Sequence, residues 1–249
     1  MAEFDKLASI YDTTRSLPED VMEAVVRAIA KVLEKNESKS LIDVGVGTGR
    51  FALPISRNGF DVAGIDISRE MLKIARAKKL DNLILADGRI TPFIDKSFDA
   101  AMTIHILHLT TGWRAVLREV SRLTKQVLVS SGADGDGLNM RLKYLELRRE
   151  MDPTFSERGL ENGESTLAKI VEPDEVVVAS KRIESINADE EIDYFQNRRS
   201  AITLDTPEDA HRKIMDALRS SYAGTTIQST RKELVYVWRI ETLQREVGS

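Results

Sequence analysis

The chain has 249 residues, 42% hydrophobic and 31% charged. That is enough for one large α/β domain, or a core domain with an insertion, whose core needs no disulfides. The absence of cysteine excludes disulfides, thiolate metal sites and cysteine nucleophiles, and a net charge of only −4 leaves no basic footprint for nucleic acid. No apolar run reaches the roughly 20 residues that span a bilayer and no signal-peptide h-region opens the sequence, so a soluble, cytoplasmic protein without membrane partners is expected.

In chain order, Phe4, Leu7, Ile10 and Tyr11 recur at helix-like spacing. Pro18 suits the first turn of a helix, and Val21, Met22, Val25, Val26, Ile29, Val32 and Leu33 draw its apolar stripe. The apolar run 41–44 reads as a first strand and leads into Gly45, Gly47 and Gly49. A helix over 50–57 stops near Asn58-Gly59. A second strand over 61–65 ends in Asp66, and Ser68 reads as the N-cap of a helix over 69–79. A third strand, 82–86, ends in Asp87-Gly88, and a Pro-containing loop leads to a fourth at 98–103. Thr111 is placed to cap a helix over 113–123, and 126–131 reads as the fifth strand. Five strands alternating with helices predict an α/β fold with a doubly wound, mostly parallel sheet.

Beyond residue 133 the pattern changes. Asp134-Gly135-Asp136-Gly137 lacks the downstream glutamate of a calcium loop and reads as a flexible hinge. A charged helix over 138–150 precedes a polar stretch, 152–165. Short strands at 176–178 and 182–186, helical segments around 190–199 and 207–222, and a β-branched, aromatic last strand at 233–240 follow. The expected organisation is one domain. It has a helical cap over 1–35, a core of 36–137 with 231–249, and a helical and mixed insertion, 138–230, lying as a lid over the carboxyl ends of the sheet, where open α/β sheets bind ligands.

Strand, glycine turn and helix together let backbone approach a nucleotide-like ligand, because a Cβ would block the approach and the turn needs positive φ. A dinucleotide frame G-x-G-x-x-G starting at Gly45 would need glycine where Arg50 stands. The frame present is Asp-x-Gly-x-Gly-x-Gly, with Asp43 on the strand end. Asp66, at the end of the second strand, can accept both hydroxyl protons of a ribose; a capping or solvent-facing aspartate is the alternative. Asp87-Gly88 is either a common turn pair or the acceptor for an exocyclic adenine amine.

Segments 41–55 (LIDVGVGTGRFALPI), 63–75 (AGIDISREMLKIA), 85–87 and 98–123 resemble successive motifs of the small-molecule class I S-adenosylmethionine (SAM)-dependent methyltransferases, the group that includes ubiquinone-biosynthesis-type enzymes. The resemblance covers residues 5–131 and implies a Rossmann-like fold with SAM as cofactor. It further implies that Gly45, Val46, Gly47 and Gly49, with Asp43, pass the methionine part and that Asp66 holds the ribose. Ile67 would flank the adenine, Asp87 and Gly88 would meet its edge, and Thr103, Ile104 and His105 would lie beside the sulfonium; Met71 is core. Tyr11 and Arg15 are placed to close over the cofactor, or else sit on an ordinary surface helix. The Pro-Gly-Gly usual before the fifth strand is replaced by Thr124-Lys125-Gln126.

His105 and His108 are two of three histidines. They have no evident third partner for a metal. His105 is the candidate general base, against the plainer reading that it lines the pocket while His108 packs under the lid. Methyl transfer to a small molecule is the leading function. A SAM-binding sensor or partner subunit shares the same site and stays open, and an NAD or nucleotide-sugar enzyme is disfavoured by the glycine frame. Nucleic-acid substrates are disfavoured by the missing cysteine and the missing Asn/Asp-Pro-Pro-aromatic motif.

Overall fold

The computed structural model describes residues 5, 8–9, 11–13, 17–156 and 159–247. Helix α1 (Glu19–Lys35) has Pro18 at its N-cap and Glu19 and Asp20 in its first turn, where free N–H groups and the helix dipole favour acids. Its apolar stripe is buried as the spacing predicts, except Met22, which is half-buried. Then come β1 (Ser40–Val44), α2 (Ala52–Arg57), β2 (Asp61–Asp66), α3 (Arg69–Ala77), β3 (Leu83–Leu85), β4 (Phe98–Ile104), α4 (Trp113–Leu123) and β5 (Thr124–Gly135). Ser68 caps α3 as expected, accepting the N–H of Met71 at 3.2 Å.

Two local expectations need correction. Gly112, not Thr111, is the N-cap of α4, and no side chain caps it. No turn separates α4 from β5. Lys96 Nζ instead donates to the carbonyls of Ser121 (3.2 Å) and Thr124 (2.7 Å), serving the open carbonyl end of the helix. That is how the chain dispenses with the Pro-Gly-Gly turn.

The second half contains α5 (Met140–Met151), α6 (Glu164–Ile170), β6 (Glu175–Asn187), α7 (Ala188–Gln196), α8 (Ala201–Leu204), α9 (Glu208–Tyr222), β7 (Thr226–Arg239) and α10 (Ile240–Val247). The short strands expected at 176–178 and 182–186 are one strand, and the last strand starts at Thr226 rather than 233. The seven strands are ordered β3-β2-β1-β4-β5-β7-β6, and the pairs β1·β2, β1·β4, β2·β3 and β4·β5 are parallel. Alternate residues of a strand face opposite sides of a sheet. Leu41, Val62, Ala100, Met102 and Val127 accordingly join α1, α2 and α3 in one core. Ile42, Val44, Ile65, Ala101 and Leu128 join α4, α6 and α10 in a second. The sheet is therefore doubly wound. Ile29, fully buried in the first core, gives a modest test: Ile29→Val should lower stability by about 0.5–1.5 kcal/mol in a denaturant titration.

The chain divides into two compact units, Met1–Ala133 with Arg158–Ser180 and Glu233–Ser249, and Asp134–Glu157 with Lys181–Lys232. The insertion drawn at 138–230 is thus interrupted. Leu160, Leu167 and Val171 belong to the second core beside Trp113 and Trp238, and Trp238 Nε1 donates to the Val171 carbonyl at 2.9 Å. Both tryptophans and Met71 are buried, as expected. The other unit has its own core, in which the Tyr144 ring stacks on Phe195 with centroids 5.6 Å apart and its hydroxyl bonds His211 Nδ1 at 2.7 Å. The run read as a hinge is tied down there, since Asp136 accepts the N–H of Thr230 at 2.6 Å. Among the described residues no helix is long and apolar enough to cross a membrane.

Candidate functional site

The glycine turn leaves β1 with φ of +82° at Gly45, +55° at Gly47 and +76° at Gly49, a left-handed region that side chains with a Cβ rarely enter. At Gly45 the close approach matters as much as the torsion, because a Cβ there would run into Ile106 Cγ2. The Gly47 N–H donates to Asp66 Oδ2 at 2.8 Å, and the Ser68 N–H donates to Oδ1 at 2.8 Å. Asp66 therefore spans the ends of β1 and β2. Burial pushes its carboxyl above the usual carboxylate range, and these backbone donors pull it back.

Asp43, 4% exposed, is the penultimate residue of β1, just before the turn. Burial, reinforced by the charge of Asp66, raises its carboxyl to about 8. A cavity opens here, lined by Tyr11, Asp43, Gly45, Val46, Gly47, Thr48, Arg50, Phe51 and Ile104. Gly49 instead turns toward Ala75 and Leu80, so it shapes the turn and does not line the cavity. Thr48, Arg50 and Phe51 are additions to the expected set. They occupy the variable positions of the glycine frame and the entry to α2, a place the frame itself marked. Thr48 Oγ1 donates to Asp12 Oδ1 at 2.6 Å, and Lys78 Nζ pairs with Asp12 and donates to the Thr48 carbonyl at 3.0 Å. Tyr11 is among the lining residues; Arg15 lies outside the described residues.

Along the sheet, Gly88 lies against Val44, with Val44 Cγ1 2.8 Å from where a Cβ would stand. The Asp87-Gly88 turn thus adjoins the end of β1. The Arg89 guanidinium grips Asp87 through Nε at 3.0 and 3.1 Å and Nη2 at 2.6 Å, holding its carboxyl below the ordinary value. Ile67, directly after Asp66, is 40% exposed, an apolar surface available to a ring. Thr103 is fully buried and not among the lining residues, whereas Ile104 is. His105 is half-buried with its ring centroid 6.4 Å from that of Phe51.

This site joins a glycine turn, the Asp66 carboxylate bonded to it and a second buried acid, Asp43, facing the cavity. Such a constellation suits a ligand that carries both hydroxyls and positive charge. SAM, with ribose hydroxyls, an ammonium and a sulfonium, fits it.

Comparison with known proteins agrees. Residues 42–127, from β1 into β5, match the family described as "Methyltransferase domain". The demethylmenaquinone methyltransferase of Tropheryma whipplei (strain Twist) is 35% identical over 127 residues, 49% of this chain and 53% of that protein. That of Corynebacterium kroppenstedtii is 30% identical over 175 residues, 69% of this chain and 71% of that one. Except for such longer matches, the chain spans about half the length of the curated relatives it matches. The crystal structure of the YcgJ protein of Bacillus subtilis superposes with a TM-score of 0.54 at 19% identity, covering 86% of this chain and 97% of that one, a likeness of fold. The glycine-turn core and the match extending through most of the Corynebacterium protein place this chain in the family of class I SAM-dependent methyltransferases.

Proposed function

We propose that this protein transfers the methyl group of SAM to a small-molecule acceptor. The observation that carries the reading is the pairing of Gly47 N–H with Asp66 across two strand ends, Gly47 lining a cavity together with the buried Asp43. In this reading Asp66 receives the ribose hydroxyls and the turn passes the methionine part. Ile67 and the Asp87-Gly88 turn flank the adenine. When bound, SAM supplies an electrophilic methyl on a good leaving group. The chain's own task is then alignment and exclusion of water by Phe51, Ile104 and the glycine turn. His105 is the residue proposed to take a proton where the acceptor must lose one.

A cytoplasmic setting, and a small acceptor in preference to nucleic acid, accord with the lack of cysteine and the net charge of −4. The relatives named as demethylmenaquinone methyltransferases make that compound the first acceptor to test. Two measurements decide the reading. Calorimetric titration with SAM and with NAD should show binding of SAM alone. Incubation with acceptors should yield S-adenosylhomocysteine only when an acceptor is present. Binding of SAM with no acceptor-dependent product across a broad screen would favour a sensor or partner subunit.

Cofactor binding should also depend on pH. Asp43 is raised to about 8, so the fold favours its neutral form and the cost of its charge grows from about pH 4 up to pH 8. A cation entering the cavity favours the ionised form, so SAM binding should release a proton near pH 7 and tighten several-fold from pH 7 to 8. Calorimetry in buffers of different ionisation enthalpy reads that proton directly, and Asp43→Asn should abolish it.

A further inference from the structure

Glu164 is a buried carboxylate that the cofactor cavity does not use. It is the first residue of α6 and is 2% exposed. Its Oε1 accepts the backbone N–H of Ile106 at 3.1 Å and of Leu107 at 3.4 Å. Those amides follow His105, which leaves β4 with φ of +60°, a strained conformation for a residue with a Cβ that persists only where the surroundings enforce it. A second tie reinforces the first, because the Leu160 N–H donates to the Leu107 carbonyl at 2.9 Å. The turn held in this way is the one whose Ile106 side chain meets Gly45, and whose His105 ring neighbours Phe51.

We propose that Glu164 is a positioning residue for methyl transfer, its carboxylate holding the 105–107 turn against the glycine turn of the cofactor cavity. The proposal rests on the cofactor site assigned above. Were the role structural alone, an uncharged acceptor would serve at lower cost, since burying a carboxylate is unfavourable unless it is well bonded. Burial pushes this carboxyl up to about 7, against the opposing donors of its own backbone N–H and those of Ile106, Leu107 and His105. The fold therefore favours the neutral acid, and the penalty for the charge grows as pH rises from about 4.5 to 7. The charged form, in return, makes the stronger bonds to the turn amides. His105 and His108, on the same turn, and Asp43, in the cofactor cavity, are the other titratable side chains to control.

The test compares Glu164→Gln and Glu164→Ala with the parent chain, reading amide hydrogen-exchange protection at Ile106 and Leu107 and SAM affinity at pH 6 and 8.5. In the parent, protection at Ile106 and Leu107 should change between pH 6 and 8.5 as Glu164 titrates, while affinity is compared between parent and variant at each pH because Asp43 titrates over the same range. Glu164→Gln should melt no lower than the parent at pH 8.5, yet lose that pH dependence of protection and bind SAM about threefold to tenfold more weakly there. Glu164→Ala should lose protection at both pH values. Parent-like protection and SAM affinity in both variants would overturn the proposal, as would loss of the pH dependence in His108→Gln but not in Glu164→Gln. Asp66→Ala, run alongside, separates the two readings. If it too leaves SAM binding unchanged, the cofactor site itself is misassigned.

Discussion

Gly45→Ala should remove measurable SAM binding and destabilise the protein by about 2–4 kcal/mol, the sum of a strained left-handed residue and an overpacked contact. The torsion is +82°, and the new methyl would occupy the space of Ile106 Cγ2. Relief requires either the glycine turn, which lines the cavity, or the turn that follows Ile104 to move. Gly59→Ala provides the control. Gly59 has a similar φ of +92° but nothing within 4 Å of its would-be Cβ, so it should show the torsional cost alone and bind SAM normally. Denaturant titration and calorimetry on the two variants read both effects. Equal losses of binding in both would mean that general destabilisation, not the Gly45 contact, governs the cavity.

Asp66→Ala is expected to weaken SAM binding about 10- to 100-fold, the scale of one to two lost charge-assisted hydrogen bonds. The same substitution leaves the Gly47 N–H without its acceptor, so the turn loses a restraint even before a ligand arrives. Asp66→Asn separates the contributions, because its amide oxygen still accepts one N–H. Since burial raises the Asp66 carboxyl, the fold favours its neutral form, and the charge costs stability as pH rises above the unfolded value near 4. Asp66→Asn should therefore be no less stable than the parent at pH 8 while binding SAM more weakly. A weaker fold with undiminished SAM affinity would assign Asp66 to structure and not to the ribose.

What the residues alone determined follows from short-range rules. The order from β1 to β5, the Ser68 cap and the left-handed glycines are each set by neighbours a few positions away, through side-chain periodicity and backbone sterics. The place of Asp66 at the end of β2 was legible because a strand end is where the local apolar pattern stops. The lining by Thr48, Arg50 and Phe51 came only from the structure. Only the tertiary structure decided the rest. The tie from Asp12 to Thr48 spans 36 positions and that from Glu164 to Ile106 spans 58, and a bond between distant residues leaves no local signature in either segment. β6 looked like two short strands because Ser180 and Lys181 interrupt its apolar run, yet strand pairing depends on backbone partners and carries the strand through. Residues 158–180 read as part of a polar insertion. Leu160, Leu167 and Val171 nevertheless join the sheet's second core, because burying them there removes apolar surface that α4 and α10 leave to be covered.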